Sequence, residues 1–255
     1  MRYLRYPLTI LFIILTWQAA ALVLGPSLLP APAAAGLSLL REAATGEFWR
    51  HVWASLSRAV SGLMAGFILA YPLGLWLGGS KRADPNLAPF IFLTYPIPKV
   101  LFLPILLVIL GLGEAPKIVL VALTCGYQIL VVTRDSLRNL DPSYLLSFKA
   151  ISHGLEQNKP GQVFNLARHV FIPATFPTAI SALRLATGTA VAVLFMAESF
   201  ATSKGLGYMI MDAWGALDLP RMFSGIVTMS LMGLMLYIII DAVEHRVCRW
   251  PTFLH

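Results

Sequence analysis

Apolar residues in this chain do not alternate and do not recur once per helical turn. They come in long unbroken runs. A helix needs about 20 apolar residues to cross the hydrocarbon core of a bilayer. Six runs reach that length: 7–25, 57–78, 87–112, 116–133, 176–197 and 222–241. The pattern predicts an all-α, polytopic membrane protein with six transmembrane helices, organised as one transmembrane domain over 1–255. The first run begins after Arg2 and Arg5 and is followed by Ala31-Pro32-Ala33, which looks like a signal-peptide cleavage site. The run is longer than a secretory h-region, and five more follow, so it is read as a retained helix.

Composition agrees. Of 255 residues, 58% are hydrophobic and 12% charged, against about 25% charged in a soluble domain. A soluble globule could not cover so much apolar surface, and disorder, collagen and a disulfide scaffold are excluded. Cys125 and Cys248 are the only cysteines and suggest neither a disulfide framework nor a zinc site.

The net charge of +7 forms no basic block interleaved with aromatics, so nucleic acid is not a partner. The charge instead orients the chain. With a cytoplasmic N-terminus, Arg2, Arg5, Lys81, Arg82, Arg134, Arg138, Lys149, Lys159, Arg168, Arg246 and Arg249 lie inside. Only Arg41, Arg50, Arg58, Lys117, Lys204 and Arg221 lie outside. This positive-inside bias puts both termini in the cytoplasm and makes 134–175 the main cytoplasmic loop.

The spans carry their own signals. Gly62, Gly66, Ala70, Gly74 and Gly78 recur every fourth residue, so they line one helix face and let another backbone approach closely. Packing within the chain and a dimer seam both fit. Pro72 is expected to kink that helix. Pro96, Pro98 and Pro104 predict that the third span is broken, and a broken helix is tolerated where it is buried or lines a watery cavity. Lys99 lies in the break. A charge at mid-membrane costs about 2.5–3.5 kcal/mol, so Lys99 should face a cavity, pair or snorkel. Pro96, Pro98, Lys99 and Glu198 are the candidate pathway residues. Glu198 marks the outer end of the fifth helix, faces the pathway or pairs with a basic group, and Arg184 is expected to snorkel to the cytoplasmic interface.

No catalytic constellation is found. His51, His153, His169, His245 and His255 have no metal-ligand spacing, and there is no GxSxG elbow and no P-loop. The chain is therefore read as a transport subunit and not an enzyme, with no cofactor of its own. Gly205-Leu206-Gly207 reads as a turn. In the long loop, two short pieces are compatible with helix, 143–152 and 162–170. Asp141 is placed to cap the first, with Pro142 at its first position. The second is amphipathic and suited either to rest on the membrane or to dock in a partner's groove.

Four segments stand in order along the chain: Leu56-Ser57-Arg58 with the glycine ridge; Tyr95-Pro96-Ile97-Pro98-Lys99 with Leu103-Pro104 and Leu110-Gly111-Leu112-Gly113-Glu114; Ile172-Pro173 through Pro177 with Ala182-Leu183-Arg184-Leu185-Ala186; and Ala197-Glu198 with Gly205-Leu206-Gly207-Tyr208. Together they resemble the permease subunits of binding-protein-dependent ABC importers, within the nitrate, sulfonate, taurine and bicarbonate group. The family's coupling loop carries Glu-Ala-Ala, then Gly, then Leu-Pro. Here Ser147-Phe148-Lys149 stands at the Glu-Ala-Ala position and Gly154 or His153 at the Gly. Leu155 to Gly161 looks inserted, and Ile172-Pro173 closes the motif.

The resemblance implies a type I importer fold and a homodimer forming the path. It also implies cytoplasmic ATPases that hold ATP and Mg, an extracytoplasmic binding protein, and a place in the inner (plasma) membrane of a bacterium. Ser147, Phe148, Lys149, His153, Gly154, Gln162, Phe164 and Pro173 become the candidate ATPase-coupling residues. A small solute such as a sulfonate, nitrate or bicarbonate is implied. An ion-gradient-driven secondary transporter is the alternative, with Lys99 and Glu198 as its ionisable candidates.

Overall fold

The computed structural model describes residues 5–151, 164–200 and 202–248, which are helical with short connections and contain no strand. In chain order the helices are α1 (Arg5–Leu24), α2 (Pro32–Ala43), α3 (Gly46–Gly79), α4 (Ala83–Thr94), α5 (Leu103–Leu110), α6 (Ala115–Arg138), α7 (Pro142–Ile151), α8 (Phe164–Glu198), α9 (Leu206–Gly215) and α10 (Leu219–Val247). A 3-10 turn, Lys99–Phe102, leads into α5. Five helices are long and apolar enough to cross a membrane. The pair Ala83–Thr94 and Lys99–Leu110, bent by 88°, supplies a sixth span as a broken one.

Two of the observed helices outrun the expectation. α3 has 34 residues and α8 has 35, which at 1.5 Å per residue is about 50 Å, well beyond a 30 Å hydrocarbon core. The polar start of α3 (Glu47, Arg50, His51, Arg58) hides its first turns from a reading based on apolar runs. In α8 the expectation of a short helix over 162–170 separate from a span over 176–197, with Pro173 and Pro177 at the junction, is corrected. The helix passes through both, so the piece expected over 162–170 is, where described, the start of the fifth span. A π-turn over Ala167–Phe171 immediately precedes Pro173. A proline clashes with the carbonyl four residues back, here that of His169 inside the wider π ring, which gives the pyrrolidine room. Pro72 likewise lies within a continuous α3.

The chain divides into two compact units, one of Met1–Arg58 with Leu194–Met232 and one of Ala59–Val193 with Gly233–His255. In the first, α1 is almost wholly exposed, as a lipid-facing helix should be. Trp17 nonetheless donates from Nε1 to the Pro30 carbonyl at 3.0 Å and stacks near Phe223, with centroids 5.7 Å apart. Arg221 reaches Glu42 at 3.3 Å and Asp212 at 3.4 Å, joining α2 to α9 and the start of α10.

The second unit is built on the small-residue ridge. A Cβ added at Gly66 would sit 2.9 Å from the Ala122 carbonyl oxygen, one at Gly74 2.9 Å from that of Leu130, and one at Gly78 2.7 Å from that of Arg134. At Gly62 it would meet Val121 Cβ at 2.6 Å. The ridge therefore packs α3 on α6 of the same chain, with Ala70 buried in the core beside Tyr71, Ile129, Ala179 and Ala182. Tyr71 hydrogen-bonds Thr175 at 3.2 Å, and its ring meets Phe67 and Phe176.

Candidate functional site

Three places carry the polar chemistry. The first is the segment that follows α6. Asp141 Oδ1 accepts the Ser143 backbone N–H at 2.8 Å, and that bond holds its carboxyl below the usual carboxylate range. With Pro142 next, this is the expected helix start. Along α7, Tyr144, Leu146 and Ser147 are exposed and Phe148 is half-buried. Lys149 lies on the same helix. Phe164 is 65% exposed at the first turn of α8, while Pro173 is half-buried inside that helix. His153, Gly154 and Gln162 lie outside the described residues. A cavity of about 410 Å³, lined in part by Lys81, Leu137, Arg138, Leu145 and Phe171, lies where this segment meets the ends of α3 and α6.

That end of the unit is tied by charge. Arg134 makes a two-point contact to Asp84, its Nη2 at 3.0 Å, and Arg138 reaches the same carboxylate. Asp84 and Arg134 are buried. Asp84 is in the first turn of α4, where a negative charge is also favoured by the helix dipole.

The second place is the break in the third span. α4 ends at Thr94, and Tyr95, Pro96, Ile97 and Pro98 are exposed. Lys99 does not snorkel outward. Its Nζ turns back and donates to the carbonyls of Thr94 at 2.7 Å, Tyr95 at 2.9 Å and Ile97 at 3.0 Å. It also lies over the Tyr127 ring, 4.2 Å from the centroid. The Tyr127 hydroxyl in turn hydrogen-bonds Thr94 and donates to the Ile91 carbonyl at 3.0 Å.

The third place is centred on Glu198, inside the first unit. Its carboxylate accepts from Arg58 Nη1 at 2.7 Å, Ser55 Oγ at 2.7 Å and the Gly207 backbone N–H at 2.9 Å. Ser55 Oγ accepts the Leu206 N–H at 2.7 Å, His51 Nδ1 accepts the Gly205 N–H at 3.1 Å, and Arg58 also donates to the Lys204 carbonyl at 2.8 Å. Of the three alternatives open for Glu198, pairing with a basic group is the one the geometry adopts. Ser55, Arg58 and Glu198 are each at most 1% exposed.

Spacing alone gave no role to His51, Ser55 or the glycine pair. A signal was present in the chain: a carboxylate at a helix end followed closely by two glycines. Gly205 has φ of +129°, a region that L side chains rarely adopt, and a Cβ at Gly207 would lie 2.7 Å from Glu198 Cβ. The turn is the backbone half of a carboxylate-binding site.

Arg184 has carboxylate partners that the sequence reading did not name. It pairs with Asp241 and lies 3.4 Å from Glu244, whose Oε1 accepts from Ser181 at 2.6 Å. Asp241 and Glu244 are one turn apart on α10, so both carboxylates face Arg184. Among the described residues no group of three or more His, Cys, Asp or Glu converges to hold a metal ion.

A protein-family model described as the binding-protein-dependent transport system inner membrane component matches residues 62–249. The chain belongs to this family. It is 28% identical to the putative aliphatic sulfonates transport permease protein SsuC of Bacillus subtilis, over 93% of this chain and 84% of that one. It is 29% identical to the riboflavin transport system permease protein RibX of Chloroflexus aurantiacus, over 98% and 91%. Its fold is similar to that of a chain from the MetNI methionine ABC transporter in inward-facing conformations, with a TM-score of 0.60 and 19% identity, covering 78% of this chain and 94% of that one.

Proposed function

We propose that this permease is the path-forming subunit of an ATP-driven importer. Two copies would form the pathway, and a separate cytoplasmic ATPase would hold ATP and Mg and dock on α7 and the start of α8. An extracytoplasmic binding protein would deliver the solute. Both termini would lie in the cytoplasm, with the whole chain acting as one transmembrane domain. The observation that carries the reading is the set of large apolar side chains left exposed between two spans. Tyr144, Leu146 and Phe164 are 47%, 65% and 65% exposed on segments directly following α6 and starting α8, where charge places the cytoplasm. Large apolar side chains held out at a helical turn fit a groove in a partner.

The solute proposed first is a small organic sulfonate, with nitrate and bicarbonate as related anions. Identity to a sulfonate permease supports it, while similar identity to a riboflavin permease leaves a heterocycle as the competing outcome. The test is uptake by cells expressing the chain together with an ATPase subunit and a solute-binding protein of the same family of importers. ATP-dependent accumulation of an alkanesulfonate, abolished when the binding protein is withheld, is the expected result. Accumulation driven by an ion gradient without any ATPase would favour a secondary transporter and overturn the reading.

A further inference from the structure

The break in the third span is held by a feature that its prolines make necessary. In an unbroken helix the Thr94 carbonyl would accept from residue 98 and the Phe92 carbonyl from residue 96. Both positions are proline and have no N–H. An unsatisfied carbonyl at membrane depth costs several kcal/mol. The Thr94 carbonyl keeps one long backbone bond, from the Ile97 N–H at 3.3 Å, and the three neighbouring carbonyls of Thr94, Tyr95 and Ile97, with the dipole of α4 behind them, make a site of concentrated negative potential.

We propose that Lys99 is the positioning residue that fixes this 88° break, and that it is not a ligand for the solute. The ammonium has three protons, and the three carbonyls of Thr94, Tyr95 and Ile97 take one each. Nothing is left to donate to an anion. Its charge is answered by the carbonyl dipoles and by the Tyr127 face beneath it. Tyr127 Oη is also bonded to Ile91 and Thr94, so one ring braces both the end of α4 and the ammonium that closes it. Lysine is specifically suited. Its donors radiate from one atom onto three converging oxygens, whereas the fork of a guanidinium is planar and wider. The consequence for transport is that Tyr95, Pro96, Ile97 and Pro98, all exposed, are presented as a fixed wall. This second half of the inference rests on the importer reading above, and the first half does not.

The test uses the full chain in nanodiscs for hydrogen exchange and the complete transporter in cells for uptake. Lys99→Met is expected to raise exchange at the amides between Tyr95 and Leu101 at least tenfold. It should lower maximal uptake at least tenfold and move the half-saturating solute concentration by less than twofold. Lys99→Arg, which keeps the charge, is expected to rescue neither.

Exchange across α10 is the internal control for global folding. Should Lys99→Met fail it, Lys99→Gln, which retains two donors, is judged by the same criteria. Rescue by Lys99→Arg, or a half-saturating concentration raised fivefold or more with exchange unchanged, would assign Lys99 to the solute and overturn the proposal. Faster exchange in a chain that drives no uptake with any ATPase would support the clamp and count against the importer reading instead.

Discussion

Arg58 Nη1 lies 2.7 Å from Glu198 Oε1, and the two side chains are 1% and 0% exposed. The residues are 140 positions apart and bring the start of α3, the end of α8 and the turn before α9 to one point. Removing one member of a buried pair leaves an uncompensated charge and typically costs about 3–5 kcal/mol. Arg58→Met should therefore lower the melting temperature of the detergent-purified chain markedly. Glu198→Gln, which stays neutral and keeps acceptors for Ser55 and Gly207, should cost less than Glu198→Ala. Equal melting temperatures for all three variants and the parent would sink this account of the turn.

Alanine substitution should have opposite signs at two glycines, one inside the seam between α3 and α6 and one outside it. Gly66→Ala puts a methyl group against the backbone of Ala122 and Gly126, which cannot move aside, and overpacking of this kind costs about 1–3 kcal/mol. Gly36, within α2, has nothing within 4 Å of an added Cβ. There the substitution should stabilise by about 0.5–1 kcal/mol through lost chain entropy. Thermal unfolding followed by tryptophan fluorescence checks both. A neutral Gly66→Ala would mean that the two backbones are farther apart.

At the other end of the second unit, two arginines share Asp84. Among the described residues, Asp84→Asn leaves Arg134, itself buried, with the half-buried Asp135 at 2.7 Å as its remaining carboxylate partner. Its destabilisation should fall within the range of about 3–5 kcal/mol for a broken buried pair. Adding Arg134→Met should recover part of the loss, because the stranded charge is then gone. A double variant no better than the single one would argue against that cause.

Docking on α7 predicts a loss of partnership without a loss of fold. Tyr144→Asp and Phe164→Asp alter side chains that are 47% and 65% exposed, so the melting temperature should change little. Co-purification with the ATPase should fall at least tenfold. Retention of the full complex by both variants would move the docking surface elsewhere.

Acidity bears on the same helix through Asp141. Its carboxyl is held below the ordinary value by the Ser143 N–H, so the cap is complete above the unfolded-state pKa and is lost as pH falls through the lower, folded one. Fraying of the first turn of α7, read by amide exchange at Ser143 and Tyr144, should begin only below about pH 4. In Asp141→Ala it should be present at all pH. Identical exchange in parent and variant at pH 7 would remove the cap.

The architecture was legible because crossing a bilayer imposes a length, and little except a membrane span requires an apolar run of that length. The glycine ridge was legible for a similar reason: a spacing of four is geometry written directly in the chain. The prolines were not uniform signals. Pro96 and Pro98 break the third span, whereas Pro173 and Pro177 do not break α8; at Pro173 the preceding π-turn relieves the clash that would end a helix. The Glu198 site was legible only in part. A carboxylate at a helix end can be seen in the sequence, but its partner is fixed by tertiary packing across 140 residues. Lys99 could be placed in the break, yet the direction of its side chain depends on three carbonyls that no residue pattern names. α2 and α9, with 12 and 10 residues, fall below the span length and left no comparable trace.

On the α3 side of the seam the glycines have nothing that can change rotamer. The 59–79 stretch of α3 meets α6 through glycines whose missing methyl groups leave room for the α6 backbone and for the first side-chain atoms of Val121, Thr133 and Leu137. A shift of one or two residues along the axis would bring Leu63 or Phe67 to where a glycine now sits. The permitted registers are thus four residues, about 6 Å, apart, with a steric barrier between them. Within the second unit these two helices form a single stiff spar, and the rearrangements of a transport cycle are left to joints that have torsions to spare.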